Sequence, residues 1–144
     1  MAWAAAALVA LVPAARADGS LHGLDVVTST GRHHYQVEVA DDDAAREHGL
    51  MERRRMAADR GMLFEFPVRA PVTFWMKDTY LPLDMVFIDA DGTVRSIYAD
   101  ARPMSEALIP SGAAVTGVLE LNAGQAAAIH LRVGDKVVFP FFRP

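Results

Sequence analysis

Between Phe74 and Asp84 the chain reads Phe-Trp-Met-Lys-Asp-Thr-Tyr-Leu-Pro-Leu-Asp, which sets an ammonium, two carboxylates, a hydroxyl and an indole close together. A bend at Tyr80-Leu81-Pro82 brings Lys77, Asp78, Thr79 and Asp84 to one strand end, where a rigid scaffold can present binding groups on a loop. With Trp75 as a wall, these groups suit a small polar ligand. In a desolvated cleft, Lys77 with a carboxylate is also an acid–base pair, the equipment of a hydrolase or lyase-like enzyme. Glu120 adds a third carboxylate. It stands between Leu119 and Leu121, so strand alternation turns it to the opposite face. If that face meets the Lys77 cluster, Glu120 becomes the lysine's partner. The plainer alternative is structural: Phe74, Trp75 and Met76 in the core, with Lys77 and Asp78 or Asp84 as an ion pair pinning the bend. Such a pair at the surface contributes only about 0–1 kcal/mol.

Other chemistries find less in the sequence. There is no cysteine, which removes disulfides, thiolate nucleophiles and Cys-based metal sites. His22, His33, His34, His48 and His130 form no pair at metal-ligand spacing, and neighbours such as His33 and His34 point to opposite faces of a strand. The methionines lie scattered among apolar residues, where Met is ordinarily filler rather than a copper ligand. No nucleophile elbow, phosphate-binding glycine loop or dinucleotide fingerprint occurs. No metal and no cofactor is expected. A formal charge of −4, with no basic run beyond Arg53-Arg54-Arg55, argues against a nucleic-acid partner. Arg53 itself reads as an anion contact or as a solvated helix-end arginine.

The elements that must position these groups are mostly strands. Leu24–Thr28 and Tyr35–Ala40 flank the turn cluster Ser29-Thr30-Gly31-Arg32 and predict a first hairpin, with Tyr35, Val37 and Val39 sharing a face. Asp41-Asp42-Asp43 caps a short helix that Gly49 ends. Gly61–Phe66 reads as a strand stopped by Pro67, and Val72–Lys77 as another. Asp84–Asp89 and Thr93–Ala99 form a hairpin about Asp91-Gly92, where Asp-Gly supplies the positive φ angles of a tight primed turn. Pro103–Ala114 predicts a long surface loop, and Val115–Leu121 a strand. Asn122 to Gln125 resembles a capping box opening a helix from Ala123 to about His130. Lys136–Phe142 is the last strand. About seven strands with two short helices give an α+β, β-rich fold: a compact antiparallel sheet or small barrel-like core.

At 144 residues the chain fits one domain, and no repeat or linker divides it. Residues 1–17 stand apart. An apolar run of about a dozen residues, broken by Pro13 and followed by Ala15-Arg16-Ala17, has the length and cleavage pattern of a signal peptide. It is shorter than the roughly 20 apolar residues of a membrane-spanning helix. The expectation is an exported domain over residues 18–144, periplasmic or extracellular, with no stable membrane insertion once the signal is removed.

Several short motifs together carry more than any one of them. Gly49-Leu50-Met51 with Arg53, Gly61-Met62-Leu63-Phe64-Glu65-Phe66, and Phe74 to Thr79 running into Leu81-Pro82-Leu83-Asp84 come first. Asp91-Gly92, Pro103, Val118-Leu119-Glu120-Leu121 with Gly124, and Gly134-Asp135 follow. In this order and spacing the chain resembles the uncharacterised bacterial and archaeal domain-of-unknown-function family 192, over roughly Val37 to Val138. The resemblance implies a compact, sheet-rich domain, often behind a signal peptide, and supplies no reaction. That family's pattern has Asn where this chain has Asp78, so a role needing an amide donor there is in question.

Two functions follow as expectations. The first is a cell-envelope binding or accessory module, holding a small polar ligand or an envelope protein near Trp75–Asp84. The second is an enzyme using Lys77 with Asp78, Asp84 or Glu120. Geometry separates them, because an enzyme must converge at least two of those ionisable groups in one pocket.

Overall fold

The computed structural model of the chain describes residues 19–144. The signal-peptide reading of Met1–Ala17 therefore lies outside the described residues. The first hairpin forms as expected, from β1 (His22–Thr28) and β2 (Gly31–Ala40), with Val26 opposite His33. Tyr35 and Val37 point into the core, while Val39 near the strand end is half-buried. Helix α1 (Asp43–His48) starts where the aspartates predict: the Asp42 carboxylate accepts the Ala45 N–H at 2.7 Å. The chain then crosses to β3 (Arg60–Ala70), which lies parallel to β2 with Val37 opposite Gly61. A parallel pair needs such a crossover, and here it lies over one face of the sheet and drops Leu50 into the core there.

Pro67 does not stop β3. The ladder to β2 ends at Phe64, and the pairing with β8 (Val115–Asn122) breaks between Glu65 and Ala70, so Pro67 lies where no ladder bond is required of it. The expected strand Val72–Lys77 shrinks to β4 (Thr73–Phe74). Its partner β7 (Ile109–Pro110) is just as short and lies inside the segment read as a loop. Between them run β5 (Leu83–Ile88) and β6 (Val94–Ala101), the predicted hairpin. Its turn uses one positive φ rather than two, at Gly92 (φ 86°), while the Asp91 carboxylate accepts the Thr93 N–H at 2.9 Å.

The capping box also differs. Helix α2 is short (Gln125–Ala128), with Gly124 at its cap and no side-chain cap from its own segment. The Asn122 amide instead donates to the Met56 and Ala57 carbonyls, at 2.7 and 3.2 Å. The final strand is β9 (Lys136–Val138) alone, because a turn at Phe139 sends Phe142 back into the core.

Seven strands form one sheet in the order β6-β5-β8-β3-β2-β1-β9, antiparallel except for β2–β3. The sheet curls until its two ends meet: Thr93 bridges to Lys136, and the Val137 N–H donates to the Gly92 carbonyl at 2.8 Å. A Cβ on Gly92 would lie 2.4 Å from that Val137 oxygen, so glycine is required by both contact and φ. The β-rich reading, with about seven sheet strands and two short helices, is what the fold shows. Inside the curl Leu24, Val26, Val86, Leu119 and Leu121 pack with Ala126 of α2. On the other face Met62, Phe64, Met85, Phe87 and Val118 pack under Leu50, Phe74 and Met76. That second layer carries the candidate site.

Candidate functional site

Strand alternation decides which of the predicted groups can meet. On β5 and β8, Met85 is paired with Glu120 and Asp84 with Leu121. Cross-strand partners share a face, so Asp84 and Glu120 lie on opposite sides of the sheet. Asp84 faces the inner core, where its Oδ2 accepts the N–H groups of Gly124 (3.0 Å) and Ala126 (2.9 Å), and its Oδ1 that of Asp100 (2.9 Å). It is the missing cap of α2, supplied from another strand. Its role is structural, and it is not part of the site expected at the bend.

Residues 75–82 carry no strand in which alternating faces could hold. Trp75 is exposed by 42 %, and the Lys77 ammonium lies 5.1 Å from the centre of its ring, a cation–π contact. Asp78 is exposed and takes φ 52°, while its carbonyl accepts the Glu52 N–H at 2.8 Å. Asn and Asp are the side chains that best tolerate this left-handed backbone, which accounts for Asp where the resembling pattern has Asn. Thr79 is buried, and its hydroxyl donates to the Lys77 carbonyl at 2.9 Å. Lys77 makes no ion pair with Asp78, Asp84 or Glu120 among the described residues. The convergence that the acid–base reading requires is not formed.

What the structure does bring together is Trp75, Thr79 and Glu120, in a cleft of about 260 Å³ between the sheet and the crossover. Its walls are Leu50 and Met51, the Phe64, Phe66 and Phe74 rings, and the end of α1 with Arg46, Glu47 and His48. The rings meet edge-on, Phe64 to Phe74 at 5.0 Å and Phe66 to Phe74 at 6.3 Å. Gly49 lets the chain run against them: it takes φ 50°, and a Cβ there would approach the Phe64 ring to 3.1 Å. Arg46 closes one side, donating to the Glu65 carbonyl (2.6 Å) and the Asp43 carboxylate (2.9 Å) with its guanidinium over Phe66.

Glu120 gives the cleft its chemistry. Alternation turns it away from Leu119 and Leu121 as expected, but that face is covered too, and the side chain is 4 % exposed. No donor among the described residues reaches its carboxyl group. Burial disfavours the charged form and pushes the glutamate up to about 8, so at neutral pH it is mostly a neutral acid. The wall residues were missed in the sequence because Gly49-Leu50-Met51 and Gly61–Phe66 read as packing. Their one available signal was that the same motifs carry the family resemblance.

Arg53 is not a freely solvated arginine: it is paired with the Glu38 carboxylate of this same chain, through Nη1 to Oε1 at 2.8 Å and through Nη2 to Oε2. Among the described residues no three His, Asp or Glu side chains gather as a metal would need, and no helix is long and apolar enough to cross a membrane.

The model of domain-of-unknown-function family 192, described as an uncharacterised ACR, matches residues 25–139. Solved structures that are similar include the following two. One, from Sinorhizobium meliloti 1021, is described as a "putative transcription regulator"; it is 48 % identical with a TM-score of 0.79, over 83 % of this chain and 95 % of that one. The other is a protein of unknown function from Novosphingobium aromaticivorans DSM 12444, 35 % identical with a TM-score of 0.82, over 85 % of this chain and 89 % of that one. No curated protein matches.

Proposed function

The chain belongs to domain-of-unknown-function family 192, and we propose that it is an exported binding module of the cell envelope whose cleft above Glu120 holds a small ligand. One observation supports this most: a buried carboxyl group without a protein partner stands at the floor of an aromatic-walled cleft. The Glu120 carboxyl group opens only onto the cleft, and a convergent polar group in an apolar pocket is the arrangement a ligand completes. The site is thus shifted from the bend itself to the space behind it, with Trp75 and Thr79 retained and Lys77, Asp78 and Asp84 set aside. Support for export is the apolar run and small-residue pattern of Met1–Ala17.

A thermal-shift screen of small molecules tests the binding reading, because a ligand present at about 100 times its Kd stabilises the native state by about 2.7 kcal/mol. The expected hit loses its effect in both Glu120→Gln and Trp75→Ala, and keeps it in Lys77→Ala. Hits that stabilise all three variants equally, or no hit at all, would count against the cleft.

A further inference from the structure

We infer that the cleft takes a small organic ammonium ion, with its N–H donors on the Glu120 carboxylate and its hydrocarbon part against Phe64, Phe66 and Phe74. This deepens the binding-module reading and rests on it. The two buried polar side chains lining the cleft are Thr79 and Glu120. Thr79 spends its hydroxyl proton on the Lys77 carbonyl, so only its oxygen lone pairs remain. Glu120, once ionised, is purely an acceptor. Phe64, Phe66, Phe74 and Trp75 add aromatic rings to the lining, and ring faces attract cations. An interior of acceptors and π-systems complements a donor with positive charge and offers an anion little.

The charged groups around the cleft are of both signs, with the Lys77 ammonium held on the ring of the lining Trp75, so the choice of a cation rests on Glu120 and the rings. The end of α1 contributes Arg46, Glu47 and His48, β3 and β4 contribute phenyl rings, and the cross-strand partners of Glu120 are the uncharged Met62 and Met85. Arg46 is already committed to Asp43 and to the Glu65 carbonyl, which leaves it no open fork for a carboxylate ligand. A cation entering beside Glu120 would displace the carboxyl proton to solvent and leave a charge-assisted pair in its place.

Calorimetric titration of the chain with benzylamine, benzyl alcohol and benzoate tests this, because the three share a ring and differ in charge. Benzylammonium should bind best. Its ligand is the ionised Glu120, so the apparent affinity scales with that fraction. With the carboxyl group titrating at about 8, binding should be about fiftyfold tighter at pH 8 than at pH 6, with net proton release. Glu120→Gln should abolish both the binding and its pH dependence. Should that variant fail to fold, the wild-type pH profile and the preference over benzyl alcohol decide alone. Affinity for benzylammonium that is flat or falls with pH overturns the assignment. Stronger binding of benzyl alcohol or benzoate also overturns it, while leaving a ligand-binding cleft in place. Failure of all three to bind overturns it as well, and the broader screen then decides the binding reading separately.

Discussion

Glu120→Gln changes one atom of the cleft floor and removes its only ionisation, so its effect on stability is a direct measure of the burial described above. An ordinary glutamate titrates at 4.5 and Glu120 in the fold at about 8. The native state therefore holds this proton more tightly than the unfolded chain does. The contribution is fully present below pH 4.5 or so, and it is lost progressively as pH rises toward about 8, after which the loss is constant. Each pH unit within that window costs about 1.4 kcal/mol. Between about pH 5 and pH 7 the wild type should lose about 2 to 3 kcal/mol relative to Glu120→Gln, with every other titration cancelling in the comparison. In urea, with a slope of about 2 kcal/mol per molar, this moves the two midpoints apart by roughly 1 M. Urea melts of both proteins across that range provide the assay. Parallel stability curves, within about 0.5 kcal/mol, would mean that Glu120 has water or a partner in solution, and the reasoning about the cleft would fall with it.

Two further outcomes follow from the packing. Asp84→Ala strips a buried acceptor from three backbone N–H groups and should cost about 3–5 kcal/mol, read as a lower urea midpoint. Asp84→Asn keeps one oxygen and should cost less, whereas equal stability in all three proteins would refute the capping role. Gly92→Ala places a methyl group 2.4 Å from the Val137 oxygen at a positive φ, so it should destabilise by about 2 kcal/mol or more and speed amide exchange at Val137; unchanged exchange there would show that the sheet ends do not depend on this contact.

The parts of the fold visible in the sequence are those set by neighbours along the chain. The β1–β2 and β5–β6 hairpins follow from β-branched alternation around turn residues, and α1 from an aspartate that caps its own helix. The misreadings share one cause, a partner distant in sequence. Asn122 reads as a cap because the true cap, Asp84, is on another strand, and Pro67 reads as a stop because the break in the β8 ladder is not local. The site behaves likewise. Glu120 could be named from its apolar neighbours, but whether its face was wet or covered depended on where the crossover and the 73–81 segment came to rest. Lys77 and Asp78 stood out because charge stands out in sequence, yet Asp78 is exposed and Lys77 lies half-buried on the Trp75 ring.

The pairing of β1 with both β2 and β9 bears on how the molecule is made. Asp25 is opposite Val138, so β1 finds its second neighbour only once the chain as far as Val138 has been made. Until then one side of β1 is an open edge, the kind of surface on which chains pair with the wrong partner. The sheet cannot close cotranslationally in stages from its N-terminus, and its completion is a long-range event that slows folding. Residues 136–144 are accordingly no tail: deleting them would take away the partner of the first strand and the strand on which the curled sheet shuts.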